Sequence, residues 1–281
     1  MAGSSGGTAA QPQTQSSSFA TQAPQDGIGV LRARLGLVVP ILGASGGAGV
    51  SVVAAALSDV LQLAGYSVLL ADTAGPVRSG LGRAARVDGR VVRVPEPAAR
   101  VRFSWRAQAL VGRVEHAGPD KSVAPSLWWL PGDRSVQVTV VDVAGDAWEL
   151  ASDVRVGIGR WLTLAVCPLL VLRPTVPGLV QAEQVLARLE PWMLRRVIPP
   201  VANLVVSGTR RWPPRVAATA GNRVHSMLDG TVFVPCEKGI ATGGITADVT
   251  PVKIRSGLVS LVRRWRAAGW LPPPACPANP S

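Results

Sequence analysis

Cysteine and histidine are scarce in this chain, and their positions exclude the familiar sites that these residues build. The sequence contains 3 cysteines and 2 histidines among 281 residues. Cys167, Cys236 and Cys276 are far apart and form no C-x-x-C pair, so the sequence indicates neither a disulfide framework nor a zinc site. His116 and His225 have no acid or nucleophile at a telling spacing, and the motifs G-x-S-x-G and H-E-x-x-H do not occur. Hydrolase and metalloenzyme functions of those kinds therefore lack support.

Lysine is nearly absent, and arginine carries the positive charge. Only Lys121, Lys238 and Lys253 are lysine, although 29 basic residues face 17 acidic ones and give a formal charge of +12. Such a surplus favours acidic partners, namely nucleic acid, anionic lipid or an acidic protein, but it says nothing about the fold. The same compositional bias is typical of coding from GC-rich DNA, so both origins of the charge stay open. Residues 75–113 are the most basic stretch.

The two ends of the chain have the composition of tails. Residues 1–25 carry no charged side chain, so the positive n-region of a secretory signal is missing. We expect disordered tails over residues 1–28 and 272–281, because both are polar or proline-rich. The sequence favours a cytoplasmic location, with peripheral attachment to a membrane left open.

One charge-free stretch, residues 35–58, is long enough to span a bilayer. Its middle contains Pro40 and the glycines Gly43, Gly46, Gly47 and Gly49, where a spanning helix would carry mostly Leu, Ile, Val and Phe. A buried strand, a glycine loop and a buried helix explain this composition better, so we expect no transmembrane helix.

Residues 29–271 alternate between short apolar runs and segments with helical spacing. The exception is the arginine-rich stretch 75–135, which we interpret as an irregular or hairpin insertion. This alternation predicts one α/β domain with a doubly wound, mostly parallel sheet flanked by helices. In the first half, LGLVVPIL, YSVLLA and VQVTVV predict strands, and VVAAALSDVLQLAG predicts a helix. In the second half, LTLAVCPLLVLRPT, VANLVVSG and TVFVPC predict strands, and VPGLVQAEQVLARLE, RVAATAGNRVHSML and PVKIRSGLVSLVRRWRAAGW predict helices.

A glycine-rich turn follows the first predicted strand, in the place where phosphate binds. Glycines let backbone N–H groups approach an oxyanion, and the N-terminus of the next helix adds its positive dipole. Residues 44–51, ASGGAGVS, match the phosphate-loop pattern [AG]-x-x-x-x-G-K-[ST] at Ala44, Gly49 and Ser51. Val50 stands where the pattern has lysine, so the loop keeps its shape and loses its charge.

The loop resembles the deviant phosphate loop of the ParA/MinD family, K-G-G-x-G-K-[ST]. Residues 45–51, SGGAGVS, keep the glycines and the hydroxyl, whereas Ser45 and Val50 replace the two lysines. YSVLLAD resembles the family's second strand, VTVVDVAGD its Walker B strand, and LLVLRPTVPGLVQAEQVLARL and TVFVPCEKGIATGGITADVTP its later elements, in order along almost the whole chain. The resemblance implies a P-loop NTPase fold of the SIMIBI-like class.

The resemblance also implies the roles of single residues. The nucleotide-binding residues would be Gly46, Gly47, Ala48, Gly49, Val50 and Ser51. Ser51 would supply the hydroxyl ligand of Mg²⁺, and Asp142 the Walker B carboxylate that holds the metal through water. Asp72 matches the first, switch acid of the family's D-x-D, and the second acid falls on Ala74. ATP and Mg²⁺ are the implied cofactors.

Three replacements, Ser45, Val50 and Ala74, argue against hydrolysis by the usual route. Phosphoryl transfer is catalysed by positioning and by stabilising developing charge, and loss of one such donor typically costs about 2.7 to 4 kcal/mol. Arg78 or Arg83, which follow the Asp72 turn, are candidates to substitute for the missing lysines.

The last predicted helix is basic and amphipathic. Packing on the core explains its apolar face, while Arg263, Arg264 and Arg266 lie elsewhere and, with Arg78 and Arg83, form a candidate basic surface. In the resembling family this region contacts the sheet, DNA or an anionic membrane.

Three functions follow from these patterns. The first is a ParA/MinD-like nucleotide-binding or pseudo-ATPase factor that regulates or positions a DNA-segregation, conjugation, secretion or cell-surface machine through a protein partner and a homodimer. The second is an active ATPase in which arginine replaces the loop lysines. The third is a basic DNA-binding module that uses the P-loop domain as a scaffold.

Overall fold

The computed structural model describes residues 27–93, 100–116 and 124–275. Most of the predicted N-terminal tail and residues 276–281 of the C-terminal one lie outside the described residues. Residues 272–275 are described and contact the side chain of Gln137, which donates to the carbonyl of Pro273 at 2.7 Å and accepts from the N–H of Ala275 at 3.1 Å.

The described residues form a nine-stranded sheet with the strand order β3-β4-β5-β2-β6-β1-β7-β8-β9. The pairings from β5 to β9 are parallel, and β3, β4 and β5 pair in antiparallel fashion. The strands are β1 Leu37–Gly43, β2 Val68–Asp72, β3 Val91–Arg93, β4 Arg100–Arg106, β5 Ala109–His116, β6 Val138–Asp142, β7 Leu169–Leu172, β8 Asn203–Ser207 and β9 Val232–Val234.

Helices cover both faces of the sheet. They are α1 Ile28–Leu35, α2 Val50–Leu63, α3 Ala147–Leu150, α4 Arg160–Leu164, α5 Val176–Leu194, α6 Pro214–Ala217, α7 Asn222–His225, α8 Lys238–Gly243 and α9 Val252–Ala267. Two 3₁₀ turns occupy Leu127–Trp129 and Gly157–Gly159. The predicted doubly wound, mostly parallel architecture is confirmed. None of the helices in the described part of the chain is both long enough and apolar enough to cross a membrane.

Strand β1 lies between β6 and β7 and is buried on both faces, as its continuous apolar run predicts. Val38 and Leu42 pack with α1 and α5 on one face of the sheet, and Val39 and Ile41 pack with α2 and α9 on the other. Because side chains alternate along a strand, one central strand joins both hydrophobic cores.

Part of the arginine-rich segment forms a hairpin that belongs to the sheet. The antiparallel hairpin β4–β5 joins the main sheet because β5 pairs in parallel with β2, from Leu69 opposite Leu110 to Asp72 opposite Arg113. The sheet therefore continues through this basic region. Residues 94–99 and 117–123 of the segment lie outside the described ranges.

Two predicted elements are wrong in extent. Leu162 and Leu164, predicted as strand, belong to α4, and β7 begins only at Leu169. The predicted helix RVAATAGNRVHSML is divided between α6 and α7 at Gly221, where a Cβ atom would lie 2.6 Å from the carboxyl carbon of Glu183. That carboxylate accepts the N–H groups of Arg223 and Val224, so it starts a new helix there.

Candidate functional site

Residues 44–49 form the turn between the central strand β1 and the N-terminus of α2. Gly47 has a φ of +70° and Gly49 a φ of +99°, a region that glycine enters without the steric cost of a Cβ atom. Gly49 caps α2 in this left-handed conformation, while Gly46 and Gly47 are exposed. The chain therefore presents an open glycine turn at the start of a buried helix, where the sequence places the phosphate loop.

Two side chains from the strands beside the loop support its backbone. The hydroxyl of Ser207, at the end of β8, donates to the carbonyl of Ala48. Arg173, directly after β7, donates from Nε to the carbonyl of Gly47 at 3.1 Å. Sequence motifs did not identify either residue. Their position could have done so, because the carboxyl ends of parallel strands meet at one edge of the sheet.

The position of the missing loop lysine is filled by an aliphatic side chain. Val50 begins α2, and its Cγ2 lies 2.9 Å from a Cβ atom placed on Gly43, at the end of β1. A methyl group thus packs against the strand end where a cation would be expected.

Among the residues that the structure describes, Arg173 is the arginine that hydrogen-bonds to the loop, and neither predicted candidate does so. Arg83 donates to the carbonyl of Gly243 in α8 at 3.4 Å, and Arg78 is exposed. Arg173 is itself exposed, and no ion pair joins it to a carboxylate within the ranges that the structure describes.

Two buried carboxylates lie next to the loop at the ends of neighbouring strands. Asp72 ends β2 and Asp142 ends β6, and the two residues are paired in register. Ser51, in the first turn of α2, lies near Asp142. The structure therefore brings Ser51, Asp72 and Asp142 together, as the sequence predicts.

Burial makes both carboxylates weaker acids. Desolvation, and then the charge of Asp72, raise the pKa of Asp142 to about 7, against the lowering effect of the nearby Ser51 hydroxyl. Desolvation also raises the pKa of Asp72 to about 6, against the hydrogen bonds from Ser79 and from the N–H of Ala74 and the charge of Arg113. A pair of neighbouring carboxylates with raised pKa values is typical of a functional site.

The turn after β2 closes over these side chains. The hydroxyl of Ser79 donates to Asp72, and the N–H of Ala74 donates to the same carboxylate at 3.0 Å. Gly80 lies against Ser51, because a Cβ atom on Gly80 would be 2.6 Å from the Cβ of Ser51. Ala74, at the position of the second switch acid, is buried and brings no carboxylate.

These contacts decide how well the residues fit Mg²⁺. The serine hydroxyl and the carboxylates are the hard oxygen ligands that Mg²⁺ prefers. In this conformation, however, Ser79 and Gly80 occupy the approach to Asp72 and Ser51, so the donor chemistry fits the ion and the space does not. Elsewhere in the described residues, no group of three or more His, Cys, Asp and Glu side chains is placed to hold a metal.

The predicted basic surface separates into distinct parts. The apolar face of α9 packs on the core through Ile254, Leu258 and Trp265, whereas Arg263 and Arg264 are exposed. The Arg266 guanidinium lies over the Tyr66 ring, 5.5 Å from its centroid. The exposed arginines of α9 therefore do not prevent its apolar face from packing on the core.

A buried ion pair that lies behind the loop was not predicted from the sequence. Arg106, at the end of β4, and Asp59, within α2, are both fully buried and form a bidentate pair at 3.0 and 2.9 Å. Asp59 also accepts the N–H and the hydroxyl of Thr250, at 2.7 and 2.8 Å. This network joins α2 to the hairpin and to the segment before α9.

Comparison with known proteins identifies the fold. No protein-family model and no curated protein sequence matches the chain. Among solved structures, MinD in the MinC:MinD cell division complex of Aquifex aeolicus is similar with a TM-score of 0.53 and 16% identity, over 82% of this chain and 96% of that one. MinD alone from Aquifex aeolicus gives a TM-score of 0.51 and 16% identity, over 82% and 97% of the two chains.

A third similar structure is the septum site-determining protein MinD of Pyrococcus horikoshii complexed with Mg-ADP. Its TM-score is 0.50 at 13% identity, over 83% of this chain and 97% of that one. The chain thus has the ParA/MinD-like P-loop NTPase fold that its motifs indicate.

Proposed function

We propose that this chain is a nucleotide-binding regulatory or positioning protein of ParA/MinD-like fold, with hydrolysis slow or absent. The observation that carries the proposal is the glycine turn between β1 and α2, beside Ser51, Asp72 and Asp142, with a valine in place of the loop lysine. The glycine turn, which would bind phosphate, is present, whereas the lysines that would stabilise the transferred phosphoryl group are absent.

Binding is supported by three features of the loop. Gly46 and Gly47 are exposed, so their backbone is accessible to a ligand. The N-terminus of α2 adds a partial positive charge. Arg173 holds the carbonyl of Gly47 and brings a full positive charge to the mouth of the loop. A nucleoside di- or triphosphate matches this combination of amides and one cation.

Slow turnover is supported by the absence of charge inside the loop. Ser45 and Val50 replace the two lysines, and Ala74 replaces the second switch acid. Each missing charge-stabilising donor lowers the rate by roughly 10² to 10³. With both lysines gone, we expect a turnover below detection in a standard phosphate-release assay.

A second function, an active ATPase in which arginine replaces lysine, is favoured by one observation, the contact of Arg173 with the loop. This function predicts phosphate release that is lost in Arg173→Ala. The DNA-binding function has no comparable observation in its favour. The machine that such a protein would serve, in DNA segregation, conjugation, secretion or at the cell surface, stays a proposal, as do a protein partner and a homodimer.

Calorimetric titration of ATP and ADP, with phosphate release measured in parallel, tests the proposal. We expect binding without turnover in the wild type, and loss of binding in Gly49→Asp, because φ is +99° there and the added side chain would meet Ser207. Gly269→Asp is the matched control, since Gly269 also has a positive φ, of +72°, but nothing lies within 4 Å of its Cβ position. If the wild type binds neither nucleotide, the proposal is wrong.

Arg173→Ala tests the cation. We expect affinity to fall about tenfold, because a hydrogen bond to a charged group contributes roughly 1.5 to 3 kcal/mol. Arg195→Ala, which removes an exposed arginine after α5, should leave affinity unchanged. Equal affinities of both variants and the wild type would contradict the role of Arg173.

A further inference from the structure

The turn after β2, which we name the strap and define as residues 75–82, lies on the side chains that would hold a metal. The hydroxyl of Ser79 donates to Asp72 and accepts the N–H of Leu81 at 3.0 Å. One serine therefore joins the strap to the carboxylate at the end of β2. Each oxygen of Asp72 thus accepts one hydrogen bond from the chain, Oδ1 from the N–H of Ala74 and Oδ2 from Ser79.

The neighbouring residue closes the other side. Gly80 approaches Ser51 so closely that a Cβ atom on Gly80 would lie 2.6 Å from Ser51 Cβ, a distance that real Cβ atoms essentially never show. Ser79 therefore occupies the space beside Asp72, and Gly80 occupies the space beside Ser51.

The strap is anchored from outside the site. Leu81 is fully buried in the core formed with α2. Arg113, on β5, donates to the carbonyl of Leu81 at 3.3 Å and also to the carbonyl of Gly82. Moving the strap would expose Leu81 and break these charge-assisted hydrogen bonds, so the closed position is stabilised by its own contacts.

We propose that Ser79 and Gly80 exclude divalent cations from this site, so that the chain binds nucleotide phosphates without Mg²⁺. The part of this inference that concerns nucleotide rests on the proposed function. The exclusion of the cation depends only on the strap. It makes Gly80 a specificity-determining position, because only a residue without a side chain fits between the strap and Ser51.

Two titrations separate the inference from the proposed function. Calorimetry with ATP, in Mg²⁺ and in EDTA, should give the same affinity within twofold in both buffers. Tighter binding in Mg²⁺ by tenfold or more overturns the inference and leaves the proposed function intact. If ATP binds in neither buffer, the proposed function fails, and Mn²⁺ titration of the protein alone, followed by electron paramagnetic resonance, still decides the inference.

The Mn²⁺ titration uses matched glycine variants. We expect no bound Mn²⁺ in the wild type and a bound ion in Gly80→Ala, where the added methyl group forces the strap away from Ser51. Gly82→Ala, whose methyl group would meet nothing within 4 Å, should behave like the wild type. Ser79→Ala opens the same site by removing the hydroxyl from Asp72. Mn²⁺ bound to the wild type overturns the inference, as does the absence of Mn²⁺ from both opening variants when circular dichroism shows them folded.

Discussion

Replacing Arg106 by methionine tests how firmly the helix behind the loop is held. Arg106 donates to both carboxylate oxygens of Asp59, at 3.0 and 2.9 Å, and to the carbonyls of Thr246 and Asp248. Both charged side chains are fully buried. The substitution keeps an unbranched side chain of similar length and leaves the Asp59 carboxylate without its counter-charge.

The expected loss is about 3 kcal/mol in the free energy of unfolding. Removing one partner of a buried pair typically costs about 3 to 5 kcal/mol. Asp59 keeps hydrogen bonds from Thr250, at 2.7 and 2.8 Å, and from Gln62, at 3.0 Å, so the cost should lie at the lower end of that range. A loss of this size is a large part of the roughly 5 to 15 kcal/mol that stabilises a typical domain.

Equilibrium unfolding in urea, followed by circular dichroism, measures the loss. Arg86→Met is the matched control, because Arg86 pairs with Asp248 at 2.5 Å while both side chains are largely exposed. It should change stability by at most about 1 kcal/mol. Adding Asp59→Asn to Arg106→Met should recover part of the loss, because it removes the unpaired charge. A loss below about 1 kcal/mol for Arg106→Met would refute this account of the network.

Two further substitutions are expected to have measurable effects. Burial raises the pKa of Asp142 to about 7 and of Asp72 to about 6, from a usual 3.8, so the contribution of these two groups to stability should be largest below about pH 4 and should fall as the pH rises to 7. Asp142→Asn should therefore unfold at higher urea than the wild type at pH 8 and at a similar concentration at pH 4; equal midpoints at pH 8 would contradict the burial argument. Thr175→Ala removes the side chain that accepts the N–H of Gly178 at 3.1 Å and caps α5, and should lower stability by about 1 kcal/mol in urea unfolding, whereas Thr175→Ser should retain most of it.

The parts that sequence reasoning predicted are those with a local pattern. The apolar run of β1, the glycines that follow it and the helical spacing of α2 are all visible within about thirty residues. Asp72 and Asp142 could be placed because each ends a strand, and the ends of parallel strands meet at one edge of the sheet. Local periodicity and the rules of parallel sheets therefore sufficed for the fold and for the placement of Asp72 and Asp142 at one edge of the sheet.

The parts that were missed depend on contacts between distant segments. Nothing local distinguishes Arg173, which touches the loop, from Arg78, which is exposed. The local sequence likewise does not distinguish Arg106 from a solvated arginine, because its partner Asp59, and Thr250, which bonds to Asp59, come from distant segments. The short run LTLAV fits a strand as well as a helix, because periodicity cannot separate the two over so few residues.

The position of β3 at the edge of the sheet changes how the charge of the arginine-rich segment should be tested. Among the described residues, β3 is the outermost strand on that side and pairs with β4 alone, where Arg93 lies opposite Arg100. Charged side chains on a rim strand hinder the addition of strands from other molecules, which is a common cause of aggregation. Neutralising these arginines to look for lost DNA retention would therefore also invite self-association, and a variant that precipitates would say nothing about nucleic acid. Informative variants would reverse the charge at one position at a time.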